Sequence, residues 1–430
     1  MIKQYIKNTI YQLRNYPLLN CITILGSAFA IALIMVILIV YHAKTADYAP
    51  ESNRSRSLYV KWGRTIYEQG AGHGPMTLWA ANEIFGELKT PEAVTYINKR
   101  GISKLISGIS DKDADATLVL TDDKFWKVHD FQLLAGNFFS ETDSKSGLKK
   151  CVIVKDIARK LYGSENDAVG KPIKIDFVEY EICGVVDNVN RFCERSWAEV
   201  YAPYNSNVQE SQLFAGYTQH NYEVVILAHS ADDFDAIRNE VTQNLARFNT
   251  VISDGSHKNG GIQKYELMGQ PDTFRAQLLR KYANQYGDLA EIDWYYVIVI
   301  IVILLIPAIN LSGLTNTRMR RRLEELGIRR AFGAARGSIV LQILNENFIL
   351  TLIGGIVGLC ISYLSLWLMG DWLLQTTYGD NVATMNTSMI SPIIFLIAIL
   401  FCLVLNLLSA LIPAWRITRT PIVDSLNQKS

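Results

Sequence analysis

The chain has 430 residues, a formal net charge of +1 and an apolar fraction of 49%. A charge so close to zero favours neither a nucleic-acid partner nor a strongly acidic one, and the length allows two or three globular domains. The apolar residues are concentrated in four runs, with a long stretch of ordinary composition between the first and the second. This distribution is typical of a membrane protein with one large domain outside the bilayer.

The N-terminal residues 1–20 carry apolar side chains at helical spacing, interspersed with Lys3, Lys7 and Arg14. They predict an amphipathic helix on the cytoplasmic face of a membrane, in contact with lipid; a fraying charged terminus is the alternative. The run 21–41 is uncharged and long enough to cross a bilayer. We predict a retained first transmembrane helix there, because the apolar core of a cleaved signal peptide is shorter.

The stretch 42–293 predicts an α+β domain outside the cytoplasm, because the basic residues before the first span hold the N-terminus inside. Clusters of β-branched and aromatic residues predict strands, and other segments predict helices. The last helix, Pro271–Ala290, opens with Pro and Asp and is expected to continue into the next span as a stalk. The predicted strands are Ser57–Val60, Ala116–Thr121, Cys151–Val154, Ile173–Ile175, Tyr180–Val186 and Tyr222–Leu227, and the other helices are Thr77–Leu88, Asp156–Leu161 and Asp232–Phe248.

The second and third apolar runs, 294–315 and 338–369, predict two further spans. The third run is longer than a straight span needs, and a carboxylate at mid-bilayer costs at least about 2.5 kcal/mol. We therefore expect Glu346 at headgroup depth and the hydrocarbon-embedded part to begin at Phe348. Within it, three glycines predict a small-residue face against which another helix packs; glycines tolerated in a lipid-facing helix are the alternative. These helix-packing residues are Gly354, Gly355 and Gly358.

The fourth run, 390–413, completes the topology. The loop 370–389 has no Lys or Arg, whereas the segment 316–337 and the tail 414–430 are basic. Short basic segments stay in the cytoplasm, which places both termini and the segment 316–337 inside. The predicted fold class is an α-helical membrane protein with four transmembrane helices and a large α+β extracytoplasmic domain inserted between the first and second.

The sequence offers no catalytic or cofactor-binding pattern. The nearest look-alike of a phosphate-binding loop, Gly163–Lys171, has the wrong glycine spacing and Pro172 in place of Ser or Thr, so we predict a turn. The histidines lack zinc spacing, and Asp111, Asp113 and Asp115 lack the rest of a calcium loop, which predicts a solvated turn. We predict a chain that is not an enzyme and holds no cofactor or metal.

Three cysteines, Cys151, Cys183 and Cys193, fall in the predicted external domain. An odd number allows at most one bridge among them, and Cys183 with Cys193 is the nearer pair in the sequence. The sequence leaves open whether this pair forms a disulfide.

Seven arginines lie in the segment 316–337, around the sequence LEELGIRRAFGAA. This pattern predicts either a short helix that couples a cytoplasmic partner to two spans, or a basic loop anchored to anionic lipid. In the first interpretation, Gly327 and Gly333 would permit close approach of backbones and the charged residues would set the register on the partner. The residues alone leave both interpretations open.

Residues 321–334, RRLEELGIRRAFGA, resemble the cytoplasmic motif of FtsX-like permeases, the MacB-type class of ABC transporter membrane subunits. Two further segments resemble the corresponding segments of this family. One runs from Glu346 to the glycines of the third span, and the other is Pro413–Pro421. Segments 125–139 and 151–187 resemble the family's periplasmic core domain. The resemblance covers nearly the whole chain in the family's order.

This resemblance implies a permease homodimer or heterodimer in the bacterial inner membrane, served by two copies of an ABC ATPase on a separate chain. The basic segment would dock on the ATPase as a coupling helix. The residues that carry this role are Glu325, Leu326, Gly327, Ile328, Arg330, Ala331, Gly333 and Ala334.

ATP hydrolysis by that partner would then move the periplasmic domain, by mechanotransmission, for export or efflux of a periplasmic substrate. Efflux would add a periplasmic adaptor and an outer-membrane channel as partners. An FtsX-like regulatory protein that controls an external partner and a lipoprotein-releasing permease are the alternatives. The sequence does not reveal the substrate.

Overall fold

The structure is a computed structural model that divides into two compact units. The helical unit comprises Met1–Lys44, Asp293–Gln375 and Met385–Ser430, and the α+β unit comprises Thr45–Ile292 and Thr376–Thr384. The residues described are 17–98, 103–108, 113–190, 193–206, 218–253, 261–280, 328–329 and 331–373, with scattered positions between 294 and 313 and between 393 and 411.

The described residues form nine α-helices and fourteen strands. The helices are α1 (Pro17–Thr45), α2 (Leu78–Phe85), α3 (Phe125–Val128), α4 (Glu141–Ser146), α5 (Lys155–Tyr162), α6 (Glu165–Ala168), α7 (Phe234–Ser253), α8 (Phe274–Leu279) and α9 (Arg336–Leu373). The strands are β1 (Ser57–Val60), β2 (Gly63–Tyr67), β3 (Gly70–Gly74), β4 (Ala93–Asn98), β5 (Ser103–Ser107), β6 (Asp113–Thr121), β7 (Leu133–Gly136), β8 (Lys150–Val154), β9 (Pro172–Ile175), β10 (Val178–Val186), β11 (Val200–Pro203), β12 (Tyr222–Leu227), β13 (Ile262–Glu266) and β14 (Asp272–Thr273).

In the helical unit, α1 and α9 contain segments long and apolar enough to cross a membrane, Ile24–His42 and Gly337–Ser365. Helix α1 begins at Pro17, so residues 17–20 belong to it rather than to a separate amphipathic helix. Helix α9 continues to Leu373, beyond the predicted end of the third span at residue 369. The rest of the predicted amphipathic helix and most of the second and fourth spans lie outside the described residues, so four spans remain a prediction.

The α+β unit is built on a sheet of eleven described strands. Six of them close into a ring in the order β5, β6, β11, β8, β10, β9 and back to β5. Within this ring β8 lies parallel to β10 and β11 parallel to β6, and the other neighbours are antiparallel. Apolar side chains fill the first core, which includes the fully buried Val119, Ile153 and Ile182. Strands β8 and β11 of this ring are buried on both faces, whereas β9 alternates exposed and buried residues.

Strands β4, β12, β1 and β14 extend the sheet as an antiparallel row. Helices α2 and α7 pack on this row through Ile84, Phe85 and Phe248 and form a second core. Alternate side chains of β1, β4 and β12, which we call the shared strands, belong to different cores. Tyr59 contributes to the first core and Leu58 to the second. Successive side chains of a strand point to opposite faces, so both faces of the shared strands are covered.

Every predicted strand is confirmed, and the helix predicted over Pro271–Ala290 is confirmed over Phe274–Leu279 but not at its predicted start. Asp272 and Thr273 form β14, which pairs with β1, and the helix begins only at Phe274. The Thr273 hydroxyl accepts the amide of Ala276 as an N-cap, and α8 already ends at Leu279. The sequence signal of Pro followed by Asp therefore marks a strand, because pairing with β1 outweighs local helix preference.

Three smaller predictions have clear outcomes. Asp113 and Asp115 lie in β6, so the solvated turn predicted for them is wrong. Gly163 and Gly170 have φ of +91° and +76°, which confirms turns at both positions. Cys183 and Cys193 are free thiols, so the described structure has no bridge between them.

Candidate functional site

The described part of the basic segment contains the end of a helix. Ile328, Arg329 and Ala331 are helical, and the amide of Phe332 donates to the carbonyl of Ile328 over 3.1 Å. The next residue, Gly333, has φ of +90°. The amide of Ala334 then donates to the carbonyl of Arg329 over 3.1 Å, which is the closing bond of a helix that ends in a left-handed glycine.

Gly333 therefore has a backbone role that the sequence reasoning did not give it. No described atom lies within 4 Å of the position where its Cβ would be, so space within the chain does not require a glycine. The left-handed φ favours glycine here, because L residues adopt this conformation only at an energetic cost. The partner-facing role of Gly333 stays a prediction.

Helix α9 begins directly after this turn. The carbonyl of Ala335 accepts the amides of Ser338 and Ile339 over 3.1 and 3.3 Å. Ala334 packs on Ile339 and Ile343, one and two turns into α9. An apolar contact between the residue before a helix and its first turn fixes the direction in which the chain enters. We call residues 328–339 the elbow.

Side chains join the helix end before Gly333 to helix α9. Arg329 Nη1 donates to Gln342 Oε1 over 2.9 Å, and Gln342 Nε2 donates to Glu346 Oε1 over 3.1 Å. Glu346 is 4% exposed, so its carboxylate lies inside the helical unit. Sequence reasoning expected Glu346 only at headgroup depth and overlooked Arg329 and Gln342. The spacing of four between Gln342 and Glu346 was the available signal, since such residues are neighbours on a helix.

The outer surface of the elbow is apolar. Phe332 is 89% exposed and Ile328 is 44% exposed, and a spacing of four places them on one side of the helix end. Ala331 is also exposed, whereas Ala334 is half-buried. Phe332 was missed by sequence reasoning, although an aromatic residue among arginines is a recognisable sign of a contact surface. The predicted coupling residues Glu325, Leu326, Gly327 and Arg330 lie outside the described residues.

Two of the three predicted packing glycines lie against α1. A Cβ added to Gly354 would lie 2.9 Å from Cβ of Ser27, and one added to Gly358 would lie 2.8 Å from the carbonyl oxygen of Ala28. A Cβ added to Gly355 would have only ordinary contacts, the nearest at 3.7 Å. Gly354 and Gly358 thus permit the backbones of α1 and α9 to approach closely.

The long apolar helices, the inserted α+β unit and the elbow together define a membrane permease with an extracytoplasmic domain. A family model described as MacB-like periplasmic core domain matches residues 21–244, and one described as FtsX-like permease C-terminal matches residues 297–422. The chain belongs to this family of FtsX-like ABC transporter permeases with a MacB-like periplasmic core domain. The resemblance found in the sequence is confirmed.

Relatives of this chain are distant and longer. It is 25% identical over 284 residues to the uncharacterized ABC transporter permease YknZ of Bacillus subtilis, covering 66% of this chain and 65% of that protein. It is 23% identical over 256 residues to the macrolide export ATP-binding/permease protein MacB of Chromobacterium violaceum, covering 58% of this chain and 35% of that protein. The pyoverdine export ATP-binding/permease protein PvdT of Pseudomonas aeruginosa is 22% identical over 387 residues, covering 87% of this chain and 53% of that protein.

The chain therefore spans less than two thirds of the length of each of these relatives. The crystal structure of the extracellular domain of YknZ is 18% identical, with a TM-score of 0.33, over 48% of this chain and 98% of that one. No group of three or more His, Cys, Asp or Glu side chains within the described residues is arranged to hold a metal ion.

Proposed function

We propose that this chain is the membrane subunit of an ABC transporter and couples ATP hydrolysis by a separate ATPase subunit to movement of its α+β unit. That movement would act on a periplasmic substrate for export or efflux, by mechanotransmission. Two ATPase copies would serve a dimer of permease chains, with both termini in the cytoplasm and the α+β unit in the periplasm. The observation that carries this proposal is the elbow, which is rigid in its backbone and apolar on its outer surface.

Rigidity is what a coupling element needs. The contact of Ala334 with Ile339 and the bond from Arg329 to Gln342 connect the residues before α9 to α9 at two points, and the glycine closes the preceding helix end. A displacement of that helix end by a partner would therefore move α9 rather than bend the turn. Side-chain networks with fixed geometry transmit such displacements because they have few alternative arrangements.

The outer surface of the elbow suits a protein partner better than lipid headgroups. Phe332 is almost fully exposed, and burial of a Phe side chain in a partner's groove contributes about 1.5–3 kcal/mol. Aromatic side chains and arginine are both enriched in the cores of protein interfaces. An anionic membrane surface would use the arginines without requiring an aromatic side chain at this position.

The test is co-purification of the full-length permease with its ATPase. Phe332→Ala should weaken the association by roughly 10- to 100-fold, since about 1.4 kcal/mol corresponds to tenfold in affinity. Phe177→Ala is the matched control, because Phe177 is equally exposed, at 86%, but lies in the α+β unit. Unchanged association of Phe332→Ala, or equal loss in both variants, would contradict docking through the elbow.

The same coupling would also serve an FtsX-like regulatory protein or a lipoprotein-releasing permease. Capture of proteins bound to the α+β unit separates these functions. Recovery of a periplasmic adaptor and an outer-membrane channel would support efflux. Accumulation of unreleased lipoproteins on depletion of the permease would support lipoprotein release, and recovery of a cell-wall hydrolase would support regulation.

A further inference from the structure

The segments by which the chain enters and leaves the α+β unit meet at one side chain. The incoming segment, residues 46–54, directly follows α1, and the outgoing segment, residues 272–280, precedes the second predicted span in the sequence. The guanidinium of Arg54 lies between two rings, 4.5 Å from the centroid of Tyr48 and 4.6 Å from that of Phe274. Tyr48 belongs to the incoming segment and Phe274 to the outgoing one.

Arg54 is also part of a buried ion pair within the incoming segment. Its Nε donates to Glu51 Oε2 over 2.8 Å, and the two side chains are 1% and 2% exposed. Its Nη1 donates to the carbonyl of Ala46 over 2.7 Å, at the start of the segment. The guanidinium thus fixes both ends of the incoming segment while it stacks on the outgoing one.

Glu51 joins this group to the body of the unit. Its Oε1 accepts the amides of Arg195 and Ser196, each over 2.9 Å, and the hydroxyl of Ser196 over 3.0 Å. Burial disfavours the charged form of Glu51, but Arg54, His129 and the Ser196 amide together hold its pKa below the ordinary value. The carboxylate is therefore ionised at neutral pH and fully hydrogen-bonded, as a buried charge must be.

The outgoing segment is fixed in a similar way. Arg280 donates to both carboxylate oxygens of Asp272, over 2.5 and 2.9 Å, and this pair is also buried. Strand β14 pairs with β1, where Thr273 lies opposite Leu58. The ring of Phe274 lies 5.6 Å from that of Tyr59 on β1. Both segments are thus attached to the sheet next to each other.

We propose that Arg54 is a positioning residue for coupling, which locks the incoming and outgoing segments into one rigid junction. Movement delivered along either adjoining membrane helix would then move the α+β unit as one body. Separation of the two segments would remove the ring of Phe274 from the buried guanidinium, and a cation–π contact stabilises more when the cation is desolvated. This inference rests on the proposed function, because it needs an ATP-driven movement to transmit.

The experiment measures the distance between nitroxide labels at residue 177 of the two chains of the full-length permease dimer, with its ATPase in lipid nanodiscs and with and without ATP and vanadate. Phe177 is 86% exposed and lies in the α+β unit. In the wild type, nucleotide should shift this distance, because the α+β unit moves as one body. In Arg54→Lys, which keeps the charge but loses the planar fork and its stacking, we expect this nucleotide-dependent difference to fall by at least about tenfold. ATP turnover should change less than about twofold, because the ATPase itself is unaltered.

A matched control and a milder variant separate transmission from stability. Arg195→Lys alters another buried arginine, whose side chain pairs with Glu223 and whose backbone amide to Glu51 is kept. It should retain the nucleotide-dependent difference. Phe274→Leu removes one ring, leaves both ion pairs and should give an intermediate loss, so it decides the matter if Arg54→Lys does not fold.

The outcomes are distinct. If the wild type shows no nucleotide-dependent change in the distance between the labels, the proposed function fails. If the wild type shows it and Arg54→Lys and Phe274→Leu retain it in full, the junction is overturned and the function stands. Equal loss in Arg195→Lys would also overturn it, because the effect would then follow from weakened folding.

Discussion

In the α+β unit, a buried arginine and glutamate hold two neighbouring segments together. In the helical unit, two glycines without side chains let two helices pack closely. Arg54 and Glu51 need a set of hydrogen bonds that satisfies every charged atom. Gly354 and Gly358 need only the backbone of α1 close by. The difference follows from solvent, because apolar burial drives association in water but not between helices in lipid.

The largest effect expected from this comparison concerns Glu51. In Glu51→Ala the guanidinium of Arg54 stays buried without its carboxylate, and breaking a buried pair on one side costs about 3–5 kcal/mol. Thermal unfolding of the full chain should show a lower transition for the α+β unit. The control is Glu141→Ala, which breaks the exposed pair with Lys145 and should change little. Equal shifts in both variants would contradict the assignment.

A pH dependence should also distinguish the α+β unit. Burial raises the pKa of Asp122 from 3.8 to about 7, although the hydroxyl of Thr95 donates to it and offsets part of this rise. The unfolded chain releases this proton near pH 4 and the folded chain only near pH 7, so the free energy of unfolding falls as pH rises between these values. As pH rises from about 5 to about 8, the free energy of unfolding of Asp122→Asn should increase by about 2–3 kcal/mol relative to that of the wild type.

The pH profile of the variant must be compared with that of the wild type, because a second group titrates in the same pH range. Burial lowers the pKa of His129 to about 4, so its contribution to stability is lost as pH falls below its ordinary value of 6.5. This slope is opposite in sign to that of Asp122 and is present in both proteins. Equal pH profiles for the wild type and Asp122→Asn would show that Asp122 titrates normally.

In the helical unit the corresponding break is steric. Gly358→Leu would place side-chain atoms against the carbonyl of Ala28, and overpacking of this kind costs about 1–3 kcal/mol. We expect less folded protein and a lower melting temperature in detergent. Gly355→Ala should be tolerated, because its Cβ would make only ordinary contacts with Ile399 and Ile31, the nearest at 3.7 Å. If Gly355→Ala is the more damaging variant, the contact with α1 does not stabilise the unit.

The smallest expected effect on folding lies in the elbow. Gly333→Ala would force an L residue into a left-handed φ at a cost of about 1–2 kcal/mol, with no steric clash among described atoms. We expect normal insertion but weaker stimulation of the ATPase. Gly337→Ala, at a helical position near the start of α9, is the control and should keep full stimulation. Full stimulation by Gly333→Ala would show that the helix end is not needed for coupling.

The sequence predicted local structure well where one residue type dominates. Strand β12 was predicted with its observed bounds because Val224, Val225 and Ile226 favour strands strongly. Strand β3, with glycine at positions 70, 72 and 74, was missed because glycine gives no strand signal. The location of the elbow followed from its arginines and from the family resemblance. Its rigidity did not, because the bond from Arg329 to Gln342 depends on side-chain directions.

The Arg54 junction was beyond sequence reasoning for another reason. It brings Glu51 next to Ser196, and Arg54 next to Phe274, across long stretches of chain. No periodicity or motif in a single sequence encodes such a pairing. The wrong start of the helix predicted over Pro271–Ala290 shows the same limit, because the pairing of β14 with β1 is equally remote in sequence.

The shared strands tolerate few changes of length. Because β1, β4 and β12 give alternate side chains to two cores, an insertion of one residue in any of them would exchange the two sets and misfit both cores at once. Loops in the α+β unit can change length without such an exchange, while these three strands keep their length. Related permeases should therefore vary in their outward turns and agree in the spacing of this row.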